Sequence, residues 1–296
     1  MLSHSLLEKH QSQFAAFGLL FGAVCWGVIW YPYRIMQEAG ISGVTSSFYT
    51  YVIAVCIFAV VLHKQWRAAL NQPKSVVWLA VIAGWTNLSY VLAIIDGEVM
   101  RVMLLFYLSP LWTLVMAHFW LKERTNKRGL AVIILSLIGA FIMFWQDGAL
   151  PLPNNKAEWL ALSSGVGFAM TNVITRHSSN LSITAKSMAV WIGVLMMSLI
   201  FIVFQDDPFP NPASMNLSQT VVMIFISFLL MAATLFVQYG ITHIPVTKAS
   251  VLFMFELVVA AVASYFLTDE TLSVREWFGG ALIVVAALFA ATNEQL

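Results

Sequence analysis

The stretch VMRVMLLFYLSPLWTLVMAHFWLKERTNKR, Val99–Arg128, decides how the chain is read. It is an apolar run interrupted by one proline, Pro110, and it stops on the charged step Lys122-Glu123-Arg124. Shifted by 147 positions without a gap, it meets VTKASVLFMFELVVAAVASYFLTDETLSVR, Val246–Arg275. Val99/Val246, Leu105/Leu252, Phe106/Phe253, Phe119/Phe266, Glu123/Glu270 and Arg128/Arg275 are identical, and Arg101/Lys248 keep their charge. Identities at this density are few for apolar sequence. The charged landmarks at both ends align as well, however, and 147 is almost half of 296. The chain therefore reads as two copies of one membrane unit, residues 14–145 and 157–292.

Composition agrees. Hydrophobic residues make up 60% of the chain and charged residues 10%, too few charges to cover a soluble globule. The net charge of +1 implies no nucleic-acid partner. Cys25 and Cys56 lie inside apolar runs and read as small core residues. Ten segments approach the length needed to cross the hydrocarbon: about 14–36, 46–62, 75–95, 100–121, 129–145, 157–175, 185–204, 218–240, 247–267 and 276–292. Runs of this length in lipid must be helical, because each backbone amide has to bond within its own segment. Of the fifteen Lys and Arg, an inside N-terminus puts eleven in the cytoplasm and leaves Arg34, Arg101, Lys156 and Arg275 outside. Both termini are therefore expected inside. Five spans per copy is an odd number, so the second copy is expected to run inverted, the architecture of carriers that rock one half against the other around a midplane site.

Three further stretches carry a family resemblance: FYLSPLWTLVMAHFWLKER at 106–124, Cys-Trp-Gly at 25–27, and TDETLSVREWFGGALIVV at 268–285. Together they resemble the EamA-type drug/metabolite transporters over about residues 14 to 292. The resemblance implies ten transmembrane helices in two inverted five-helix repeats, a central cavity, and export of small metabolites, often amino acids or toxic analogues. Relatives in the superfamily carry nucleotide sugars and organic phosphates. The family often has a proline after the glutamate of span nine; here Leu257 follows Glu256, whereas the first copy keeps Pro110. The sequence thus supplies a proline to break span four and none to break span nine.

Glu256 lies about ten residues into its span. A charged carboxylate there costs about 2.5–3.5 kcal/mol on insertion scales, so it should face protein or water. Two readings stand: a counter-charge for a substrate amine or a proton-exchange site, and a neutral acid hydrogen-bonded to a neighbouring helix. Span one carries Gly18, Gly22, Trp26 and Trp30 at helical spacing; the glycines suit close helix packing, and Trp26 is deep enough to line a cavity. Trp85, Asn87 and Tyr90 in span three, Tyr107 in span four, Asn172 in span six, Gln238 in span eight and Phe253 in span nine complete the expected lining. Each taken singly suits interhelical hydrogen bonding equally well. Glu123 among Lys122, Arg124, Lys127 and Arg128 reads as a solvated cytoplasmic cluster, and Asp96, Glu98 and Arg101 as a surface cluster.

Rival classes lack their residues. Ser163-Ser164-Gly165 does not form a serine-protease step, and no paired midspan aspartates or histidines suit an intramembrane protease. Gly165-Val166-Gly167 follows no strand and is no dinucleotide loop. His63 and His118 have no second ligand at metal spacing. Channel filters favour rings of like charge, which the sequence does not supply. The expectation is an inner (plasma) membrane carrier, neither an enzyme nor a cofactor protein. It is expected to export small amino-acid-like or amine metabolites by alternating access, with Glu256 as the single cavity charge and homodimerisation left open. Efflux of lipophilic cations and uncoupled diffusion are the alternatives.

Overall fold

A computed structural model of the chain describes residues 2–61, 73–97, 99–145, 152–204, 211, 213, 215–268 and 271–293; of these, the side chains of 2–9, 61, 73, 95, 99 and 100 are not described. His63, Lys64, Arg67, Glu98, Asp147, Asp206, Asp207, Asp269 and Glu270 lie outside the described residues. In chain order the helices are α1 (Leu2–Glu38), α2 (Gly43–Val61), α3 (Pro73–Asp96), α4 (Val99–Phe106), α5 (Ser109–Met116), α6 (Lys127–Phe144), α7 (Lys156–His177), α8 (Ile183–Phe204), α9 (Leu217–His243), α10 (Val246–Phe253), α11 (Phe255–Leu267) and α12 (Val274–Thr292). No strand occurs among the described residues. Caps mark where helices leave the apolar layer. Asn126 accepts from the Gly129 N–H, Asn155 from Glu158, and Asn216 with Gln219 and Ser273 with Glu276 form capping boxes.

Nine helical stretches among the described residues are long and apolar enough to cross a membrane. α7 is not one of them, although its twenty-two residues give it the length. Its polar residues explain this: Glu158, Ser164, Thr171, Asn172 and Thr175 are all buried against other helices. A helix enclosed by protein need not be apolar to sit at membrane depth.

The two copies interlock. α1 lies along α9, and their repeat mates α7 and α3 lie along each other. α7 also packs on α4 and α5, as α1 does on α10 and α11. α3 packs on α8 and α9 on α2, while α2–α8 and α6–α12 are each their own mates. This is the contact pattern of a two-fold exchange of halves. Glycines make the closest crossings: Gly18 and Gly22 on α1 meet the Phe236 carbonyl and Val237 of α9, and Gly84 and Gly193 put the backbones of α3 and α8 in contact.

Charged side chains tie the ends. Arg101, expected on the surface, has a side chain only 12% exposed and pairs with Glu158 of the other copy at 2.7 Å. Arg101 also donates to the Leu152 carbonyl at 3.1 Å, shortly before α7; its mate Lys248 donates to the Asn293 carbonyl at 2.7 Å, just beyond α12. Glu158 further accepts from the Asn154 N–H and the Asn155 amide. Arg101→Met would leave that carboxylate buried without its cation and is expected to cost about 3 kcal/mol. A lowered thermal midpoint in detergent, restored in part by Glu158→Gln in the same chain, checks this.

Span four ends in a π-turn, Ala117–Leu121, closed by the Glu123 N–H donating to the Ala117 carbonyl at 3.2 Å. Lys122 takes the left-handed conformation there, φ 56°, which a non-glycine residue holds at a cost of about 1–3 kcal/mol. The turn aims Glu123 inward. Far from being part of a solvated cluster, its carboxylate accepts from Arg176 Nε at 3.0 Å and from the Val246 N–H at 3.0 Å.

Candidate functional site

Two helix breaks face one another at the centre. In span four, Pro110 has no N–H to offer the Phe106 carbonyl, so α4 stops at Phe106 and α5 starts at Ser109. Tight bonds bridge the gap, Leu108 N–H to Leu105 at 3.4 Å and Leu111 N–H to Leu108 at 2.9 Å. In span nine α10 stops at Phe253, in register with Phe106, without any proline. Met254 N–H bonds Val251 at 3.1 Å and Leu257 N–H bonds Met254 at 3.1 Å, a 3₁₀-like step that breaks the helix by itself. Span nine is therefore broken although Leu257, not proline, follows Glu256. Each break packs a carbonyl against a glycine of the other copy. A Cβ on Gly165 of α7 would stand 2.6 Å from the Phe106 oxygen, and one on Gly27 of α1 would stand 2.9 Å from the Glu256 oxygen. Only glycine admits so close an approach.

A chain of rings joins the breaks. Tyr90 of α3 packs on Phe106 at 4.9 Å between centroids, Phe106 on Phe168 of α7 at 5.5 Å, and Phe168 on Phe253 at 5.2 Å. Phe168 thus touches the last helical residue of both broken spans. Glu256 sits in the first turn of α11, where the helix dipole favours a carboxylate. Its side chain is partly buried. The Tyr107 hydroxyl, from the other break, faces this carboxylate. On the helices around the breaks, further buried polar atoms have no bonding partner among the described residues: Trp112 Nε1 and Thr113 Oγ1 on α5, Thr171 Oγ1, Asn172 Nδ2 and Thr175 Oγ1 on α7, and Gln238 Oε1 on α9.

The structure gathers Tyr90, Tyr107, Phe253 and Glu256 at the breaks, with Pro110 at one of them, and puts Asn172 and Gln238 on the flanking helices. Asn87 is partly buried one turn from Tyr90. Trp26 packs instead with the cluster around Tyr51, Phe58 and Trp191, although its neighbour Gly27 touches the Glu256 backbone. Trp85 is 41% exposed, on a stripe with Trp78 and Val81, and has no ring contact with the central chain among the described residues. Phe106 and Phe168 were not singled out from sequence as site residues. Phe106/Phe253 was nevertheless one of the identical pairs of the repeat, and Phe168 falls at the repeat position of Phe21.

Interlocked helical copies, two opposed helix breaks and a carboxylate between them define a polytopic membrane protein with an internal duplication. The EamA-like transporter family model matches residues 13–145 and 155–292, and the chain belongs to that family. It is 25% identical over 235 residues to an uncharacterized transporter of Archaeoglobus fulgidus, covering 79% of this chain and 82% of that one. With Protein RarD of Escherichia coli it shares 24% identity over 179 residues, 56% of this chain and 58% of RarD. A solved crystal structure superimposes with a TM-score of 0.76 at 16% identity, covering 94% of this chain and 96% of its own.

Proposed function

We propose that the protein is a ten-span secondary transporter of the inner membrane, with both termini cytoplasmic, that exports small amino-acid-like or amine metabolites by alternating access. The observation that carries this reading is one carboxylate, Glu256, set at the start of a half-helix at one break, with the linked rings of Tyr90, Phe106, Tyr107, Phe168 and Phe253 running between the two breaks. A substrate amine would sit against Glu256 with its apolar part over these ring faces, which attract cations electrostatically. A proton and an amine cannot both occupy the carboxylate. Competition for that one site makes them move in opposite directions across the membrane, which is antiport. Counting α7 as the tenth span fits the odd number of crossings per copy and the excess of Lys and Arg assigned to the cytoplasm.

Efflux of lipophilic cations is the second reading, favoured by an apolar groove of about 250 Å³ beside the break. Leu104, Leu108, Ile134, Ile138 and Phe141 line it, and it reaches Tyr107 from the flank between α4, α5 and α6.

Uptake of a mixed metabolite pool into inverted vesicles, with and without an imposed proton gradient, tests the proposal. Gradient-dependent accumulation of one amine-bearing class is expected. Accumulation only of hydrophobic cations favours the second reading, accumulation indifferent to the gradient leaves a facilitator, and none at all overturns transport.

A further inference from the structure

A second charged site lies where α7, α8, α9 and α10 end near the π-turn. Glu123 holds Arg176 and the Val246 N–H with its two carboxylate oxygens. Arg176 also donates to the Thr242 carbonyl. The Thr242 hydroxyl donates to the Gln238 carbonyl at 2.6 Å and accepts from Lys186 Nζ at 2.9 Å. Lys186 is 0% exposed, and among the described residues no carboxylate pairs with it. Two cations therefore meet at Thr242, and only one of them, Arg176, has a carboxylate partner. A buried ammonium held by a single hydroxyl is costly, and an apolar residue of the same length would be more stable there. The site is not sealed: the Arg176 side chain is 28% exposed and that of Glu123 18%. From it, polar atoms without partners lead inward. Asn172 lies one turn before Arg176 on α7, Gln238 one turn before Thr242 on α9, and Phe168 of the ring chain one turn before Asn172.

We propose that Arg176 and Lys186 form a carboxylate-exchange site, in which Glu123 occupies the place that a small carboxylate takes on arrival. The incoming carboxylate supplies the anion that Lys186 lacks. Glu123 is displaced from Arg176 and, because the same carboxyl holds it, releases the N-terminus of α10. The step is an exchange of ion pairs with no covalent change. This deepens the transporter reading and rests on it for the role of the site as an entrance: the ligand must carry a carboxylate, which an amino-acid-like solute does and a lipophilic amine does not.

The test uses the full chain in nanodiscs with acetate as the probe, replacing chloride at constant ionic strength, and methylammonium as the control cation. Acetate binding is followed by line broadening of its carbon-13 resonance, and amide exchange at Val246 by mass spectrometry. Acetate, and not methylammonium, is expected to speed exchange at Val246. Lys186→Met should weaken acetate binding by about tenfold or more, the scale of removing one partner from a desolvated charge pair. Glu123→Gln removes the competitor and should tighten it. The opposite signs separate exchange from a merely structural ion pair, which would move both variants the same way. Equal behaviour of acetate and chloride, or same-sign effects of the two substitutions, overturns the proposal. Acetate exchange in a protein that accumulates nothing in vesicles would sink the transport reading and leave this site standing.

Discussion

Glu256→Gln is expected to abolish gradient-driven accumulation while leaving a folded protein. Glutamine keeps the shape and an acceptor for the Tyr107 hydroxyl, and it is easier to hold at membrane depth than a carboxylate. What it loses is the only negative charge at the helix breaks, and with it both the proton site and the counter-charge for an amine. Removing one partner of a desolvated charge pair costs about 2–5 kcal/mol, so substrate affinity should fall by roughly thirtyfold or more. Uptake into inverted vesicles, alongside a thermal midpoint, reads both consequences. A variant that transports normally at every pH but melts earlier would show that Glu256 is a structural acid bonded to its neighbours.

Gly193→Val is expected to eliminate folded protein altogether. A Cβ at Gly193 would fall inside the backbone of Ala80, and one at Gly84 would collide with the backbone of Gly193. Extra methylenes in a packed core cost about 1–3 kcal/mol when side chains can move aside. Here the obstacle is main chain on both helices, so the penalty lies above that range, against a total stability of roughly 5–15 kcal/mol. α3 would lift from α8 and carry Tyr90 away from Phe106. Gly280→Ala serves as the contrast: the nearest atoms to its Cβ are 3.8 Å away, on Val258. Alanine there should be neutral or stabilise by up to about 1 kcal/mol, through helix propensity. The yield of monodisperse protein in detergent distinguishes the two within one experiment.

Duplication and the broken fourth span were legible because periodic landmarks and a proline mark them directly. The matching break at Met254 was not, since a 3₁₀-like step leaves no residue signature and arises where Gly27 presses α1 onto the span. Hydropathy sets α7 apart from the other long helices, because enclosure by α3, α4 and α5 lets its serines, threonines and Asn172 remain in the interior. Glu256, Tyr107 and Tyr90 could be named as a set from their depth and chemistry. Their meeting with Phe168 depends on which helices of opposite copies touch, and a single sequence does not contain that information. The charges at the helix ends were misjudged for the same reason. Arg101 and Glu158 are 57 positions apart, and Glu123 and Arg176 are 53 apart; each looks like a surface charge until its partner in the other copy is known.

The interlocking of the copies also governs how the chain is made. A ribosome delivers α1 to α6 into the bilayer before any of their principal partners exists. α1 must wait for α9, α3 for α7 and α8, and α6 for α12. During that interval Gly84 faces lipid, and the Arg101 cation lacks its carboxylate. Assembly is therefore post-insertional and slow to commit, as contacts between distant parts of a chain generally are. The same arrangement makes the boundary between the two copies a natural place to cut: two fragments supplied together, 1–150 and 151–296, hold the complementary surfaces of both copies and should reassemble into one working molecule, whereas either fragment alone would be left to the cell's membrane proteases.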